Sequence, residues 1–294
     1  MDEAPGELRV GVVGLGVMGA SMARHLSSQN LAVVGFDLDA AACARVRADG
    51  IALSTSTTAL ASEVEVLVIS LPSAPALEEV TAEIAAAPHL PRFVIETSTL
   101  SLLDKEGLRA SLSPRGTVVL DCPISGTGEQ MARGDAVIYA SGDAAAFELV
   151  RPILESFSRR AYYTGTFGNG TRLKFVANLL VAVHNVAAAE ALALAQRSGL
   201  AMTEALEALL DGAGASKILE VRGPAMLERR YLPGAMRMAL FEKDLQLIAD
   251  YARDAKAATP LFTSSLAIYE AARDSGLHLE DTAAVFEVLL PPTD

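Results

Sequence analysis

Gly14-Leu15-Gly16-Val17-Met18-Gly19 is the stretch of sequence that decides the fold of this chain. It follows an apolar run, Leu8 to Val13, and the residues after it return to helical spacing. In a strand–turn–helix unit of this kind, the first glycine permits the turn, the second lets a pyrophosphate approach the backbone, and the third allows close helix packing. Amide groups at the helix start then bind the negative pyrophosphate. The stretch therefore predicts a dinucleotide site that includes Gly14, Leu15, Gly16, Met18 and Gly19.

An acidic residue marks the end of the second predicted strand. The apolar run Leu31 to Phe36 stops at Asp37. A carboxylate at this point can accept hydrogen bonds from the adenosine ribose hydroxyls, whereas the 2′-phosphate of NADP would bring negative charge against it. We therefore expect NAD as the cofactor, with NADP as the alternative. Asp39 is interpreted as the N-cap of the next helix rather than as part of the site.

Short β-rich runs alternate with helical stretches through the first half of the chain. The runs that follow are Val64 to Leu71, Phe93 to Ile95 and Thr117 to Leu120, and Ala136 to Ala140 and Ala161 to Thr164 are expected to add closing strands. Buried strands that alternate with helices predict a doubly wound, Rossmann-like parallel sheet with helices on both faces. This α/β dinucleotide-binding domain is expected to span residues 1–165.

Strand signals end at Gly165, and alanine- and leucine-rich helical spacing continues to Leu290. A long apolar helix, from Leu173 to about Arg197, is expected to join the two domains. Residues 166–294 are therefore expected to form an all-helical domain that serves substrate binding and oligomerisation.

Composition limits the class of protein. In a chain of 294 residues, 51% hydrophobic and 20% charged residues support full cores, and the length favours two domains. A net charge of −12 would repel nucleic acid phosphates, so no nucleic acid partner is expected. Two cysteines, Cys43 and Cys122, are too few for a disulfide framework or a metal cluster, and no metal is predicted.

Targeting and membrane signals are also weak. The first six residues carry two acids and no basic region, so a cytoplasmic location is expected. The most apolar stretch, Phe175 to Ala195, is interrupted by polar residues such as Asn178 and Glu190. It is interpreted as a buried helix of a protein with no membrane partner.

The connecting helix offers a group for proton transfer. Lys174 and Asn178 are four residues apart, so both project from one helical face. Hydride transfer from an alcohol needs a group that takes the hydroxyl proton, and desolvation favours the neutral amine that could do so. The spacing alone is equally compatible with a lysine that caps a helix between domains.

Four ordered motifs over nearly the whole chain resemble the β-hydroxyacid dehydrogenases, the family of 3-hydroxyisobutyrate dehydrogenase and tartronate semialdehyde reductase. They are GLGVMGASM at 14–22, DCPISG at 121–126, GNGTRLKFVAN at 168–178 and EKDL at 242–245. The resemblance implies an enzyme that moves hydride between a nicotinamide cofactor and a small 3-hydroxy acid or its semialdehyde. It also favours a homodimer or homotetramer.

The resemblance also implies roles for residues. Lys174 matches the general acid/base, Asn178 matches a residue that holds the substrate, and Ser125 with Gly126 matches the segment that binds the substrate carboxylate. Further matches lie along the cofactor: Leu71, Pro72, Thr99 and Lys243.

Two positions depart from the family pattern. Thr127 stands where a second glycine is usual, and Ala177 replaces the first of two common asparagines, so Thr127 is counted with the substrate-binding residues. No recognisable phosphate-binding arginine motif is present, which argues against the substrate of the related 6-phosphogluconate enzymes. Two alternatives remain: an imine reductase, which usually lacks this lysine, and a noncatalytic dinucleotide-binding module.

Overall fold

The computed structural model describes residues 8–234 and 236–290, and the chain divides into two compact units, residues 1–174 and 175–294. The boundary lies within a long helix. The sequence places the domain boundary at 165/166, in the loop before that helix, and this boundary stays a prediction.

The first unit contains a six-stranded sheet with all neighbouring strands parallel, in the order β3-β2-β1-β4-β5-β6. This order and the apolar character of the strands confirm the doubly wound fold. The strands are β1 (Arg9–Val13), β2 (Ala32–Phe36), β3 (Ala52–Leu53), β4 (Val66–Ile69), β5 (Phe93–Glu96) and β6 (Val118–Asp121).

Both faces of this sheet are buried. Val10 and Val12 of β1 belong to one apolar core, while Val13 on the opposite side belongs to the other. Helices cover the two faces: α1 (Val17–Ser28), α2 (Ala40–Ala48), α3 (Thr57–Glu63), α4 (Ala74–Ala85), α5 (Leu102–Leu112), α6 (Gly128–Ala132) and α7 (Ala144–Ser156). The Asp39 side chain accepts a hydrogen bond from the Ala41 amide, which confirms its predicted role as the N-cap of α2.

The expected closing strands form a separate sheet instead. β7 (Ile124–Ser125), β8 (Val137–Ala140) and β9 (Arg160–Tyr163) build a three-stranded sheet in that order, with β7 antiparallel and β9 parallel to β8. Both strands form where the sequence predicts them, but they do not close the large sheet, because Ser141, the residue after β8, meets the end of β6 in an isolated antiparallel bridge with Asp121. The edge of the large sheet is therefore not extended.

The long helix α8 (Asn169–Arg197) begins four residues earlier than the sequence pattern suggested. The second unit continues with α9 (Met202–Asp211), α10 (Lys217–Glu228), α11 (Met238–Asp254), α12 (Pro260–Asp274) and α13 (Val285–Leu289). A single core holds these helices together, with Phe241, Phe262 and Phe286 among its fully buried side chains. The described part of this unit contains no strand, as predicted.

Among the described residues, one helix, α8, meets the length and composition of a membrane-spanning helix. Of its most apolar 18-residue segment, 44% is buried inside the protein. Core helices of soluble proteins meet the same criterion. Within the second unit, Asn185 of α8 is buried and donates to the Tyr269 hydroxyl and to the Thr282 carbonyl.

Candidate active site

The glycine turn after β1 has the geometry that a pyrophosphate requires. Gly14 has φ = +86°, and a Cβ at Gly14 would collide with the Ser70 carbonyl oxygen. A Cβ at Gly19 would collide with the Gly14 carbonyl oxygen, so α1 packs directly on the turn. Apart from Gly16 itself and its two chain neighbours, no described residue has an atom within 4 Å of the place where a Cβ of Gly16 would stand. The middle glycine thus leaves open space where the outer two are tightly packed.

The start of α1 adds amide donors to this space. Its N-cap is Gly16, which has no side chain to accept from the first amides of the helix. Leu15 contributes only its backbone, because its side chain is fully buried in the core, and Met18 is half-buried. Uncapped amides at a helix start and the positive end of the helix dipole suit an anion such as a dinucleotide pyrophosphate.

Asp37 is tied to the glycine turn. One carboxylate oxygen, Oδ2, accepts from the Leu15 amide at 2.6 Å, and Oδ1 accepts from the Asp39 amide at 2.8 Å. Each oxygen keeps further acceptor capacity. The carboxylate therefore fixes the turn and can still accept from a ribose hydroxyl, which is the chemistry expected of the acid after β2.

Two further turns lie at the carboxyl ends of β4 and β5. Leu71 and Pro72 follow β4, and Thr99 follows β5. The Leu71 amide donates to the Ser98 hydroxyl at 2.9 Å, so the two turns are joined. This edge of the sheet, next to the point between β1 and β4 where the strand order reverses, is where open α/β sheets bind ligands.

A buried ion cluster lies at the ends of β5 and β6. Glu96 and Asp121 are opposite each other in the parallel register, and Lys105 of α5 contacts both, with Nζ–O distances of 2.6 and 2.8 Å. All three side chains are fully buried. Burial by itself lowers the pKa of Lys105, but the charges of Asp121 and then Glu96 outweigh it and raise that pKa above its ordinary value. The lysine therefore remains charged.

The first turn of α8 is held by this cluster. The Thr171 amide and hydroxyl donate to Asp121 at 2.8 and 2.7 Å, and the Gly170 amide donates to the Ser141 hydroxyl at 2.9 Å. A Cβ at Gly170 would collide with the Tyr139 carbonyl oxygen, so the helix starts in direct contact with backbone of the first unit. Lys174, one turn further on, is 6% exposed and is the last residue of the unit.

The predicted substrate-binding loop runs from β7 into α6. Gly126 has φ = +156°, and its Cβ position lies 3.1 Å from Cβ of Ala136. Thr127 caps α6: its hydroxyl accepts from the Gln130 amide, and the Gln130 side chain accepts from the Thr127 amide. Gly128 packs so closely on Val17 that a Cβ there would clash with it. The loop with Ser125 thus lies beside the glycine turn.

The second unit holds the other two predicted residues. Asn178 is buried, and its Nδ2 donates to Oδ2 of Asp244 at 2.9 Å. Lys243, the neighbour of Asp244 on α11, has a half-exposed side chain. The Asn178 amide is therefore oriented by an acid to which the sequence analysis gives no role.

The structure thus collects most predicted residues in the first unit: the glycine turn, Asp37, the two cofactor-lining turns, the substrate loop and Lys174. Asn178 and Lys243 belong to the second unit. Sequence reasoning gave no role to Glu96, Lys105, Asp121 and Thr171, although Asp121 and Thr171 lie within two of the quoted motifs. A physical signal exists for Lys105, because it shares the buried face of α5 with Leu108 and Leu112, and a lysine in an apolar stripe needs a buried partner.

No group of three or more histidine, cysteine or acidic side chains in the described ranges could hold a metal ion. The open space at Gly16, the uncapped α1 amides and the Asp37 carboxylate instead fit a nicotinamide dinucleotide. Fold and site together define an oxidoreductase that depends on such a cofactor.

Comparison with known proteins gives the family. Residues 9–165 match the NAD-binding domain of 6-phosphogluconate dehydrogenase, and residues 168–289 match the NAD-binding domain of NADP-dependent 3-hydroxyisobutyrate dehydrogenase. The chain belongs to the β-hydroxyacid dehydrogenase family. It is an NAD(P)-dependent dehydrogenase that transfers hydride between the cofactor and a small 3-hydroxy acid or the corresponding semialdehyde.

Individual relatives cover the chain almost end to end. An L-threonate dehydrogenase of Escherichia coli O6:H1 is 32% identical over 96% of this chain and 95% of its own. A 2-hydroxy-3-oxopropionate reductase of Escherichia coli K12 is 31% identical over 84% and 85%. The crystal structure of a 3-hydroxyisobutyrate dehydrogenase from Salmonella typhimurium superposes with a TM-score of 0.85 at 32% identity, covering 96% of this chain and 99% of that one.

Proposed function

We propose that this dehydrogenase uses NAD to oxidise the 3-hydroxyl of a small unphosphorylated hydroxy acid, with Lys174 as the proton acceptor. The observation that carries the proposal is the burial of Lys174 on a helix whose first turn is anchored in the unit that carries the glycine turn. Bound NAD supplies the hydride acceptor. Lys174 takes the hydroxyl proton as the alcohol carbon loses hydride, and returns it in the reverse direction.

The substrate carboxylate is assigned to the loop beside the glycine turn. The Ser125 hydroxyl and the backbone at Gly126 supply donors that suit an anion. Asn178, which Asp244 orients through its Nδ2, keeps its Oδ1 as an acceptor for a substrate hydroxyl. The Thr127 hydroxyl already accepts from the Gln130 amide, so its own O–H donor is the contribution that it can make to substrate binding.

The choice of substrate follows a chemical feature that the relatives' substrates share. Threonate, 3-hydroxyisobutyrate and 2-hydroxy-3-oxopropionate each have a carboxylate and, on carbon 3, a hydroxyl or a carbonyl. A short acid of this kind is the proposed substrate of this chain, and L-threonate is the first candidate.

A preference for NAD over NADP is proposed from Asp37. Its carboxylate is held at the end of β2 by the Leu15 and Asp39 amides, and a 2′-phosphate bound next to it would be repelled by its negative charge.

We also propose a cytoplasmic homodimer or homotetramer with no nucleic acid or membrane partner. Support comes from the net charge of −12 and from apolar side chains of α8 that are exposed in the single chain, such as Val176, Leu180 and Leu194. Packing against a second copy of the chain would remove these apolar side chains from water without contact with lipid. Light scattering of the purified protein measures the assembly.

The test of the proposed reaction is a substrate panel followed by NADH absorbance, with 3-hydroxyisobutyrate, glycerate, serine, threonate and 4-hydroxybutyrate. A Lys174→Met variant should lose about two to four orders of magnitude in kcat while it keeps dinucleotide affinity. Lys217→Met, at an exposed lysine of α10, is the matched control and should retain full activity. Near-normal turnover by Lys174→Met, or no oxidation of any hydroxy acid by the unmodified protein, would contradict the proposal.

A further inference from the structure

The buried ion cluster forms one end of a continuous chain of polar contacts through the first unit. From the cofactor-lining turns, the Leu71 amide donates to Ser98, and the Ser98 amide donates to Oε1 of Glu96 at 2.9 Å. Glu96 then contacts Lys105 through its other oxygen. The chain continues from Lys105 to Asp121 and from Asp121 to Thr171 of α8. Every step lies within residues 1–174.

Asp121 acts in this chain as a cap supplied from outside the helix. The third residue of α8, Thr171, has an amide with no intrahelical partner, and the residue before the helix is Gly168, which has no side chain to accept from it. Asp121 takes that role with Oδ2 and also accepts from the Thr171 hydroxyl with Oδ1. Ser141 and Lys105 donate to the same carboxylate at 3.1 and 2.8 Å.

The electrostatics of the cluster account for Lys105. Glu96 and Asp121 are register partners on adjacent strands and fully buried, so two negative charges face each other without water. Lys105 compensates one charge, and the Thr171 amide with the positive end of the α8 dipole stabilises the remaining charge on Asp121. Such a network is favourable only when every member is in place, so it holds its members in one arrangement.

Lys174 follows Thr171 by three residues, which places it about one helical turn above the anchored position. We propose that the Glu96–Lys105–Asp121 cluster is a positioning device for hydride transfer, in which Asp121 fixes the first turn of α8, and thereby Lys174, relative to the cofactor-lining turns that Glu96 holds. None of these three residues is placed against substrate or cofactor. The inference rests on the proposed role of Lys174 as the proton acceptor.

A pair of substitutions at Thr171 tests this with little disturbance of the fold. Thr171→Val keeps the volume and the amide contact but removes the hydroxyl donor, whereas Thr171→Ser keeps the hydroxyl. With L-threonate or the best acid of the panel, Thr171→Val should lower kcat about ten-fold, because small displacements of a reacting group are costly. Thr171→Ser should restore most of it, and the dissociation constant of NAD should stay unchanged in both. Thr81→Val, which removes a helical hydroxyl contact in α4, is the control and should leave kcat unchanged.

The same substitution in a Lys174→Met background separates this inference from the proposed function. If Thr171 acts through Lys174, Thr171→Val should lower the residual rate by less than two-fold in that background. An equal ten-fold loss in both backgrounds, or unchanged kcat in Thr171→Val, would overturn the inference while leaving the role of Lys174 intact. Unchanged kcat in Lys174→Met would overturn the proposed function itself. Asp121→Asn is a stronger variant, expected to lower kcat more than Thr171→Val if it folds.

Discussion

Glu96 and Asp121 end adjacent parallel strands in exact register, and both carboxylates are bound by the single ammonium group of Lys105. Two buried acids side by side would repel each other strongly, so the lysine is an obligatory partner of the pair. The sheet edge that carries the Leu71–Pro72 turn and Thr99 therefore depends on a side chain from α5.

Replacement of Lys105 should be severely destabilising. Lys105→Met leaves two buried carboxylates without a counter-ion, and the expected loss is about 3–5 kcal/mol of unfolding free energy. Lys217→Met breaks an exposed pair with Glu220 and should change stability by no more than about 1 kcal/mol. Urea denaturation of the two variants measures the difference, and equal stabilities would contradict the importance of the buried cluster.

A methyl group at Gly16 should be tolerated in the free protein but should interfere with the binding of NAD. Gly16→Ala puts its Cβ into open space, so its thermal stability should stay close to that of the unmodified protein, while NAD affinity falls by at least ten-fold because the pyrophosphate loses its approach. Gly107→Ala, whose Cβ is also unobstructed, is the matched control and should bind NAD normally. Fluorescence titration with NADH measures both, and normal binding by Gly16→Ala would place the pyrophosphate elsewhere.

Asp37 should have two separable effects on the cofactor. Asp37→Asn removes the negative charge but keeps one acceptor oxygen for the turn, so the ratio of kcat/KM for NAD over NADP should fall. Asp37→Ala also leaves the Leu15 amide without its acceptor and should weaken both cofactors. If the unmodified enzyme uses NADP better than NAD, the assignment of Asp37 is wrong.

Thr127 should matter for stability more than for substrate choice. Its φ of −86° is unstrained, and its hydroxyl and amide complete the capping box with Gln130. Thr127→Ala should therefore cost about 1 kcal/mol of unfolding free energy, whereas Thr127→Ser should be nearly neutral. The order of kcat/KM values across the hydroxy acid panel should be the same in both, and a changed order in Thr127→Ser would show that the side chain meets the substrate.

The sequence predicted the parts of the fold that depend on local pattern. Gly14, Gly16 and Gly19 differ in the space around them in the way the glycine pattern requires, and five of the six strands of the large sheet overlap the predicted apolar runs. Two-residue strands such as Ala52–Leu53 and Ile124–Ser125 are too short to show a period, so they escaped prediction. The other two strands of the small sheet were predicted, but their separation from the large sheet was not.

Part of the candidate site, including Ser125, Lys174 and Asn178, was predicted for a different reason: these residues lie in four motifs that recur together in one family. The contact between Asp121 and Thr171 was not predictable, although both residues lie in those motifs, because it joins residues that are distant in sequence. Thr171 and Asp121 are 50 positions apart, and the residue type at neither position indicates the other as its partner. Lys105 did carry an indication of a buried partner, because it is a charged residue on an otherwise apolar face of α5.

The capping of α8 by Asp121 also decides where this protein can be divided. A fragment ending at residue 165 would stop at a loop, yet it would remove Gly170 and Thr171, the donors that meet Ser141 and Asp121. We therefore expect a fragment that ends at this loop to be less stable than one that includes the first turn of α8. The first turn of α8 supplies the last contacts of this unit. A chimaera that exchanges the two units between relatives should therefore be joined after Lys174, so that this turn stays with the first unit.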